Sequence, residues 1–321
     1  MRIGILGAGG IARKMAYTVN NMEDMQLAAI GSRSIERAEV FAKEFGIPTA
    51  YGSYEELAAD SSLDLIYVAT PHSRHYEDSL LCLNCGRNVL CEKPFTANAK
   101  QAQELIELAE SKGLFVGEAI WTRYLPMRFR LDEILASGVI GETSYLTANL
   151  GYQISHVDRL IKPELAGGAL LDLGVYTINF ALMAFGNDVR EVISSCNKNE
   201  YGVDTNNSII MNFADGKTAM LHSNLNSVTD LRGMIYGDKG RIEFDNINNC
   251  EGITVYLNDG TVTKYETPPQ ITGFEYQVRA AADAISAGKT ECPQMPHSEM
   301  LCVLKLMDKL RDEWGIRYPF E

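Results

Sequence analysis

The sequence predicts a two-part α/β protein. An α/β Rossmann domain, a doubly wound parallel sheet, spans residues 1–118. An α+β domain with a mostly antiparallel open sheet follows over residues 119–321. Three observations predict this. Short apolar runs alternate with helical stretches through the first part of the chain. A glycine-rich turn, Gly7-Ala8-Gly9, directly follows the first apolar run. After Glu118 the alternation stops and hairpin signals take over. A length of 321 residues suits two domains rather than one core.

The expected strands of the first domain are 2–6, 26–31, 64–69, 88–91 and 114–118. They are short and largely apolar, as strands covered on both sheet faces should be. The expected helices are 11–20, 35–45, 54–59, 74–84 and 98–111, and strict alternation implies right-handed crossovers between parallel strands. In the second domain, 127–137 reads as a helix stopped by Gly138, and 171–185 as a helix after Gly167-Gly168. Strands at 207–213 and 217–223 flank Ala214-Asp215-Gly216, and strands at 253–257 and 261–265 flank Asp259-Gly260. Both Asp-Gly pairs are hairpin signals, because glycine tolerates the positive φ of tight turns. An amphipathic helix is expected over 297–313. No repeat, low-complexity segment or proline-rich linker separates the parts.

Composition narrows the function classes. Hydrophobic residues make up 46% and charged residues 22%, a globular balance. The net charge of −13 disfavours nucleic-acid partners and anionic membrane surfaces. No signal peptide is read at the start, and no run of about 18 apolar residues suggests a membrane span. Seven cysteines, an odd number, read as free thiols, so a cytoplasmic location is expected. Cys82-x-x-Cys85 lies in an apolar helical stretch with no second ligand pair, so no metal is expected.

The segment Gly7-Ala8-Gly9-Gly10-Ile11-Ala12 fits G-x-G-x-x-A between a strand and a helix. The first glycine allows the turn, the second lets a pyrophosphate approach, and the small Ala12 lets helix and strand pack closely. Gly7, Gly9, Gly10, Ile11 and Ala12 are the expected dinucleotide cradle; the competing reading is a glycine-rich turn with no cofactor. No carboxylate stands at the tip of the second strand, where one would hold a ribose 2′-hydroxyl. Ser32, Arg33 and, one turn later, Arg37 stand there instead, which favours NADP, with NAD possible. The competing reading is a solvated helix start.

Glu92-Lys93-Pro94 ends a strand, and ligands of doubly wound sheets bind at the carboxyl ends of strands. Asp172 and Tyr176 stand four apart on an expected helix, where they share a face. An acid and a phenol in an apolar helix need polar surroundings; alternatively Asp172 caps the helix and Tyr176 is a core aromatic.

These three motifs together resemble the glucose-fructose oxidoreductase/inositol dehydrogenase/MocA family. Ala50-Tyr51-Gly52-Ser53-Tyr54-Glu55-Glu56-Leu57, Glu118-Ala119-Ile120-Trp121-Thr122-Arg123 and Gly168-Ala169-Leu170-Leu171-Asp172-Leu173-Gly174 support the likeness, which runs nearly end to end. Within the family the chain looks most like the branch of dimeric dihydrodiol dehydrogenases and NADP-dependent D-xylose 1-dehydrogenases. The resemblance implies oxidation of a sugar or trans-dihydrodiol CH–OH group, or the reverse reduction of a sugar-derived carbonyl. Inositol enzymes of the family carry a histidine where this chain has Tyr176, which argues against an inositol substrate. The implied mechanism has Lys93, Asp172 and Tyr176 as the catalytic set. Tyr176 exchanges the hydroxyl proton, Lys93 lowers its pKa from the free value of about 10, and Asp172 orients Lys93 or a substrate hydroxyl.

The resemblance also places Thr70, His72 and His75 beside the nicotinamide ribose, and Trp121 and Arg123 along the cofactor and substrate cleft. The plainer alternatives are helix-cap or surface histidines and a core tryptophan. Glu92 joins Lys93 among the cofactor contacts, and His156 is a substrate-rim candidate. A different functional class remains open at this level: a non-catalytic NAD(P)-sensing regulatory protein of the same fold, which would not require the Lys93, Asp172 and Tyr176 set. The hairpin strands 207–213 and 218–222 carry apolar residues on both faces, and with the resemblance they predict a homodimer through the C-terminal sheet.

Overall fold

A computed structural model describes residues 1–321. The chain forms two compact units, residues 1–121 with 270–304 and residues 122–269 with 305–321. A single break after residue 118 is therefore incomplete, because a later segment returns to the first unit. The backbone shows why. Val116 N–H donates to the Thr290 carbonyl at 3.0 Å, and His297 Nε2 lies 2.9 Å from the Val116 carbonyl oxygen.

The first unit begins β1 (Arg2–Leu6), α1 (Gly10–Asn20), β2 (Gln26–Gly31), α2 (Ile35–Phe45), β3 (Thr49–Tyr51) and α3 (Tyr54–Ala59). It continues with β4 (Leu65–Val68), α4 (His75–Asn84), β5 (Asn88–Glu92), α5 (Ala99–Lys112) and β6 (Val116–Ala119). The sheet order is β3-β2-β1-β4-β5-β6, all parallel. The order reverses beside β1, so the β1–α1 turn sits at the switch point where such sheets bind ligands. β3 is not legible in the sequence: three residues are too short for a periodic signal, and pairing with β2 defines them. Helix starts follow local chemistry, since Ser34, Ser53 and Asn98 accept the Arg37, Glu56 and Gln101 N–H groups.

The second unit holds α6 (Pro126–Ala136), β7 (Thr143–Gly151), a short α7 (Asp158–Ile161), a π-helical turn (Leu170–Gly174) and α8 (Val175–Phe185). Strands β8 (Val189–Lys198), β9 (Asp204–Phe213), β10 (Thr218–Asn224), β11 (Gly233–Gly237), β12 (Gly240–Phe244), β13 (Gly252–Leu257) and β14 (Val262–Glu266) follow. The sheet order is β14-β13-β12-β11-β7-β10-β9-β8, antiparallel except where β10 meets β7. Both expected Asp-Gly hairpins form, with Gly216 and Gly260 at φ 88° and 92°. Four strands, β7, β8, β11 and β12, escaped the sequence reading because they mix polar and apolar residues without a flanking Asp-Gly signal. The first unit also gains α9 (Glu275–Ser286), and α10 (His297–Trp314) closes the helices.

Two expectations change here. The segment Pro163–Phe185 is long and apolar enough to cross a membrane by composition, contrary to the absence read from the sequence. Its most apolar window is 94% buried inside the protein, as a core helix should be. The helix expected over 171–185 is also not uniform: it opens with the π-helical turn and becomes α-helical only at Val175. Asp172 and Tyr176 therefore lie on either side of a change in helical pitch, and the simple one-face argument no longer describes them. Such turns recur at functional sites.

Candidate active site

In the first unit, the glycine turn shows two different needs. Gly7 sits at φ 106°, and a Cβ there would lie 2.8 Å from the Ala69 carbonyl oxygen. No side chain fits, because β1 and the end of β4 approach too closely. Gly9 has an ordinary extended backbone at φ −93°, and a Cβ there would meet nothing within 4 Å. Its bare surface is what a pyrophosphate needs in order to reach the backbone. No side chain caps the N-terminus of α1, whose first turn carries no acid, so its N–H groups and positive dipole end suit phosphate.

Beside Ala8 lies a recess of about 300 Å³ lined by Arg13, Glu36, Arg37, Val40 and Phe41. Two guanidinium groups against an apolar wall fit the phosphate-bearing end of NADP. Arg13 is also held by Glu44 and lies 5.5 Å from the Phe41 ring centroid. The sequence reading named Arg37 but missed Arg13, which stands next to the glycine motif and could have been found there. Ser32 is buried and donates its N–H to the Tyr51 carbonyl, while Arg33 is exposed. Burial raises the Tyr54 pKa and Asp78 adds to the rise; Arg33, Arg74 and Arg37 oppose it. Arg33 and Arg37 thus act on one neighbourhood beside the tip of β2, whereas Arg74 is ion-paired with Glu77 and Asp78.

The β5 end is built tightly. Tyr67 donates to the Glu92 carboxylate, and the Lys93 N–H donates to Glu92 Oε2 at 3.3 Å. The Lys93-Pro94 peptide is cis. Glu118 Oε1 accepts the Phe95 N–H at 2.9 Å and holds the chain beyond the proline. His75 is fully buried, with Nδ1 2.8 Å from the Pro94 carbonyl oxygen and Nε2 2.9 Å from that of Thr70. Both ring nitrogens face protein carbonyls, so His75 ties two loops together instead of offering itself to a cofactor. His72 and Thr70 are buried beside it, the two histidine rings 5.7 Å apart. Trp121 is buried edge-on against Phe274, and the Lys14 ammonium lies 4.2 Å from each ring centroid. Burial lowers the Lys14 pKa, against the pull of Glu92 and Glu275. Lys14 gave no sequence signal, because its aromatic partners are distant in the chain.

In the second unit, Asp172 is 4% exposed and Tyr176 7% exposed. Arg159 of α7 donates to Asp172 Oδ1 at 3.0 Å. This partner was not foreseen, since nothing in the sequence joins α7 to the π-helical turn. Arg123 is buried and its Nε–H donates to Asn179 Oδ1 at 2.7 Å, while Asn179 Nδ2–H donates to the Val175 carbonyl at 2.7 Å. Arg123 therefore braces the first turn of α8, which carries Tyr176, a structural use that the expected cofactor role did not include. His156 is exposed in the loop before α7. Cys82 is buried with its thiol pKa pushed up by burial, whereas Cys85 is exposed, so the C-x-x-C spacing does not make a matched pair.

The family model described as an oxidoreductase family with an NAD-binding Rossmann fold, GFO/IDH/MocA, matches residues 1–119, and the GFO/IDH/MocA C-terminal domain matches residues 130–243. The trans-1,2-dihydrobenzene-1,2-diol dehydrogenase of Mus musculus is 33% identical over 332 residues, covering 99% of this chain and 98% of that protein. The chain belongs to the Gfo/Idh/MocA oxidoreductase family. As a member, it is an NAD(P)-dependent dehydrogenase or reductase. The Homo sapiens diol dehydrogenase is 31% identical over 330 residues, with 99% and 98% covered. The 3-ketoreductase KijD10 from Actinomadura kijaniata, solved in complex with NADP and TDP-benzene, matches with a TM-score of 0.88 at 26% identity over 97% of each chain.

Proposed function

We propose that this Gfo/Idh/MocA member transfers hydride between NADP(H) and a CH–OH carbon of a trans-dihydrodiol or sugar, running toward the alcohol when the substrate is a sugar-derived ketone. The observation that carries the reading is Tyr176, a buried phenol in the first turn of a braced helix, four residues after the buried, Arg159-paired Asp172. The full-length likeness to diol dehydrogenases supports the diol, and KijD10, a 3-ketoreductase, supports the sugar ketone.

Bound NADP would supply the hydride acceptor at the nicotinamide. Gly9 and the α1 N-terminus would hold its pyrophosphate. Arg33, Arg37 and Arg13 would take the 2′-phosphate, as paired charged hydrogen bonds favour. Tyr176 would take the hydroxyl proton in oxidation and return it in reduction. That role needs a phenol pKa well below about 10, and the Lys93 ammonium is the proposed cause. Asp172, neutralised by Arg159, would orient a substrate hydroxyl.

The test is a steady-state panel with NADP+ and NAD+: trans-1,2-dihydrobenzene-1,2-diol, D-xylose, D-glucose and myo-inositol. We expect turnover of the diol or an aldose with NADP+ and none of myo-inositol. Tyr176→Phe keeps the ring, so NADPH binding should survive while turnover falls by about 10²–10⁴-fold. A variant retaining half of wild-type turnover would remove Tyr176 from the chemistry.

We also propose a cytoplasmic homodimer. Cys82, Cys85, Cys91, Cys196 and Cys250 are free thiols, which suits a reducing compartment. On one face of the second sheet, Ile193, Ile210 and Met220 lie in register, with Ile193 53% and Met220 46% exposed. Tyr145 and Tyr236 stack 5.4 Å apart further along it. An apolar row of this kind on an open sheet is the expected dimer face. Light scattering at micromolar concentration should give twice the monomer mass, and Met220→Glu should shift it toward the monomer.

A further inference from the structure

The bend that leads into the Asp172–Tyr176 segment is held from behind by a carboxylate outside the motif. Asp204, the first residue of β9, is buried, and its Oδ2 accepts the Leu170 N–H at 2.8 Å and the Asn207 Nδ2–H at 2.9 Å. Leu170 is the first residue of the π-helical turn. Gly168 sits at φ 127°, and a Cβ there would lie 2.4 Å from Asp204 Oδ1. The second glycine of the Gly167-Gly168 pair thus makes room for this carboxylate. The first is pinned separately, because Tyr318 donates its hydroxyl to the Gly167 carbonyl at 2.8 Å. We propose that Asp204 is a positioning residue for the reaction: through the Leu170 N–H it sets the start of the π-helical turn, and with it the placement of Asp172 and Tyr176. The catalytic meaning of this placement rests on the roles proposed above.

The charges around Asp204 make the hold pH-dependent. The nearby cation is Arg311 of α10, and it is committed elsewhere: it donates to both Glu321 carboxylate oxygens, at 2.9 and 2.7 Å, and to Asp308 at 3.1 Å. The Tyr318 phenol and the Cys196 thiol of β8 also face Asp204; burial pushes both of their pKa values up, and the charge of Asp204 adds to the rise. Lys198 of β8 adds a positive charge near Cys196, with its ammonium donating to the Trp314 carbonyl at 2.7 Å. Burial raises the Asp204 pKa to about 6, against the hydrogen bonds from Asn207 and Leu170 and the attraction of Arg311. Above that pH the ionised carboxylate makes a charge-assisted bond to the Leu170 N–H, roughly twice as strong as a neutral one. Below it the acid is neutral, and in a local opening that breaks the Leu170 bond while Asp204 stays buried the bend is held less firmly; global unfolding, which hydrates the carboxylate, carries the opposite sign.

The experiment measures hydrogen exchange, by mass spectrometry, of the peptide spanning residues 168–176 between pH 5 and 8, corrected for intrinsic exchange. In the wild type we expect protection to drop as pH falls, with a midpoint near 6. Asp204→Asn keeps the shape and one acceptor but cannot titrate, so its protection should be flat across the range. Flat wild-type protection, or the same titration in the variant, overturns the proposal. The wild-type titration needs no variant and decides alone if Asp204→Asn does not fold. In turnover, Asp204→Asn should lower kcat by about 10- to 100-fold, as loss of catalytic alignment does, with the NADPH dissociation constant unchanged. An unchanged kcat overturns the positioning role. If instead Tyr176→Phe keeps full activity while the exchange titration appears, the hold by Asp204 stands and the acid–base assignment of Tyr176 fails.

Discussion

Replacing Gly9 and Gly7 one at a time by alanine should produce opposite failures, although both belong to one motif. At Gly9 the backbone is extended and a Cβ meets no atom within 4 Å. The protein alone should therefore tolerate the methyl within about 0.5 kcal/mol, as ordinary surface changes do. The same methyl would stand where a pyrophosphate must approach the backbone. Losing one charged hydrogen bond there costs about 1.5–3 kcal/mol, so NADPH should bind roughly 10- to 100-fold more weakly. At Gly7 the balance reverses. A residue with a side chain at φ 106° carries backbone strain of about 1–3 kcal/mol. The Cβ also collides with the Ala69 carbonyl oxygen at 2.8 Å, a rigid neighbour, and overpacking adds about 1–3 kcal/mol. Gly7→Ala should lose about 2–6 kcal/mol of stability before any cofactor is added. The assays are urea unfolding of each variant without cofactor and NADPH titration by protein fluorescence. Wild-type NADPH affinity in Gly9→Ala would show that no pyrophosphate lies on that surface and would refute the argument.

Three further outcomes follow from the same geometry. Arg33→Ala or Arg37→Ala should weaken NADP binding by about tenfold or more while leaving NAD use nearly unchanged; equal wild-type efficiency with both cofactors would count against the arginine cluster. Lys93→Met should weaken both cofactor binding and turnover, and combining it with Tyr176→Phe should be little worse than the worse single variant, because groups that act as one unit are not additive; clearly multiplicative losses would separate the two residues. Asp204 sets a pH-dependent stability term. Its folded pKa of about 6 lies above the unfolded value of about 3.9. Its stabilising proton is fully present below about pH 4 and lost as pH rises through about 6, a change of about 3 kcal/mol. Urea unfolding at pH 4.5 and 8 should show wild type losing stability relative to Asp204→Asn as pH rises, and an equal difference at both pH values would remove the term.

The sequence alone determined the Rossmann unit, because its strands and helices announce themselves locally. The Gly7–Ala12 turn, the serine and asparagine helix caps and the apolar strands each depend on neighbours only a few residues away. It also determined the family, since Glu92-Lys93-Pro94 and Gly167-Gly168 with Asp172 and Tyr176 are short-range patterns. The tertiary structure alone decided which charges stand behind those motifs. Arg159 meets Asp172 across 13 residues, Asp204 reaches Leu170 across 34, and Trp121 joins Lys14 and Phe274 from opposite parts of the chain. It also turned the head of the expected helix into a π-helical turn and returned residues 270–304 to the first unit. Local propensity acts over a few bonds and can be read along the chain. Burial of a carboxylate, the pairing of an arginine or the stacking of a cation on a ring depends on which distant segments pack together, and only the folded chain brings them there.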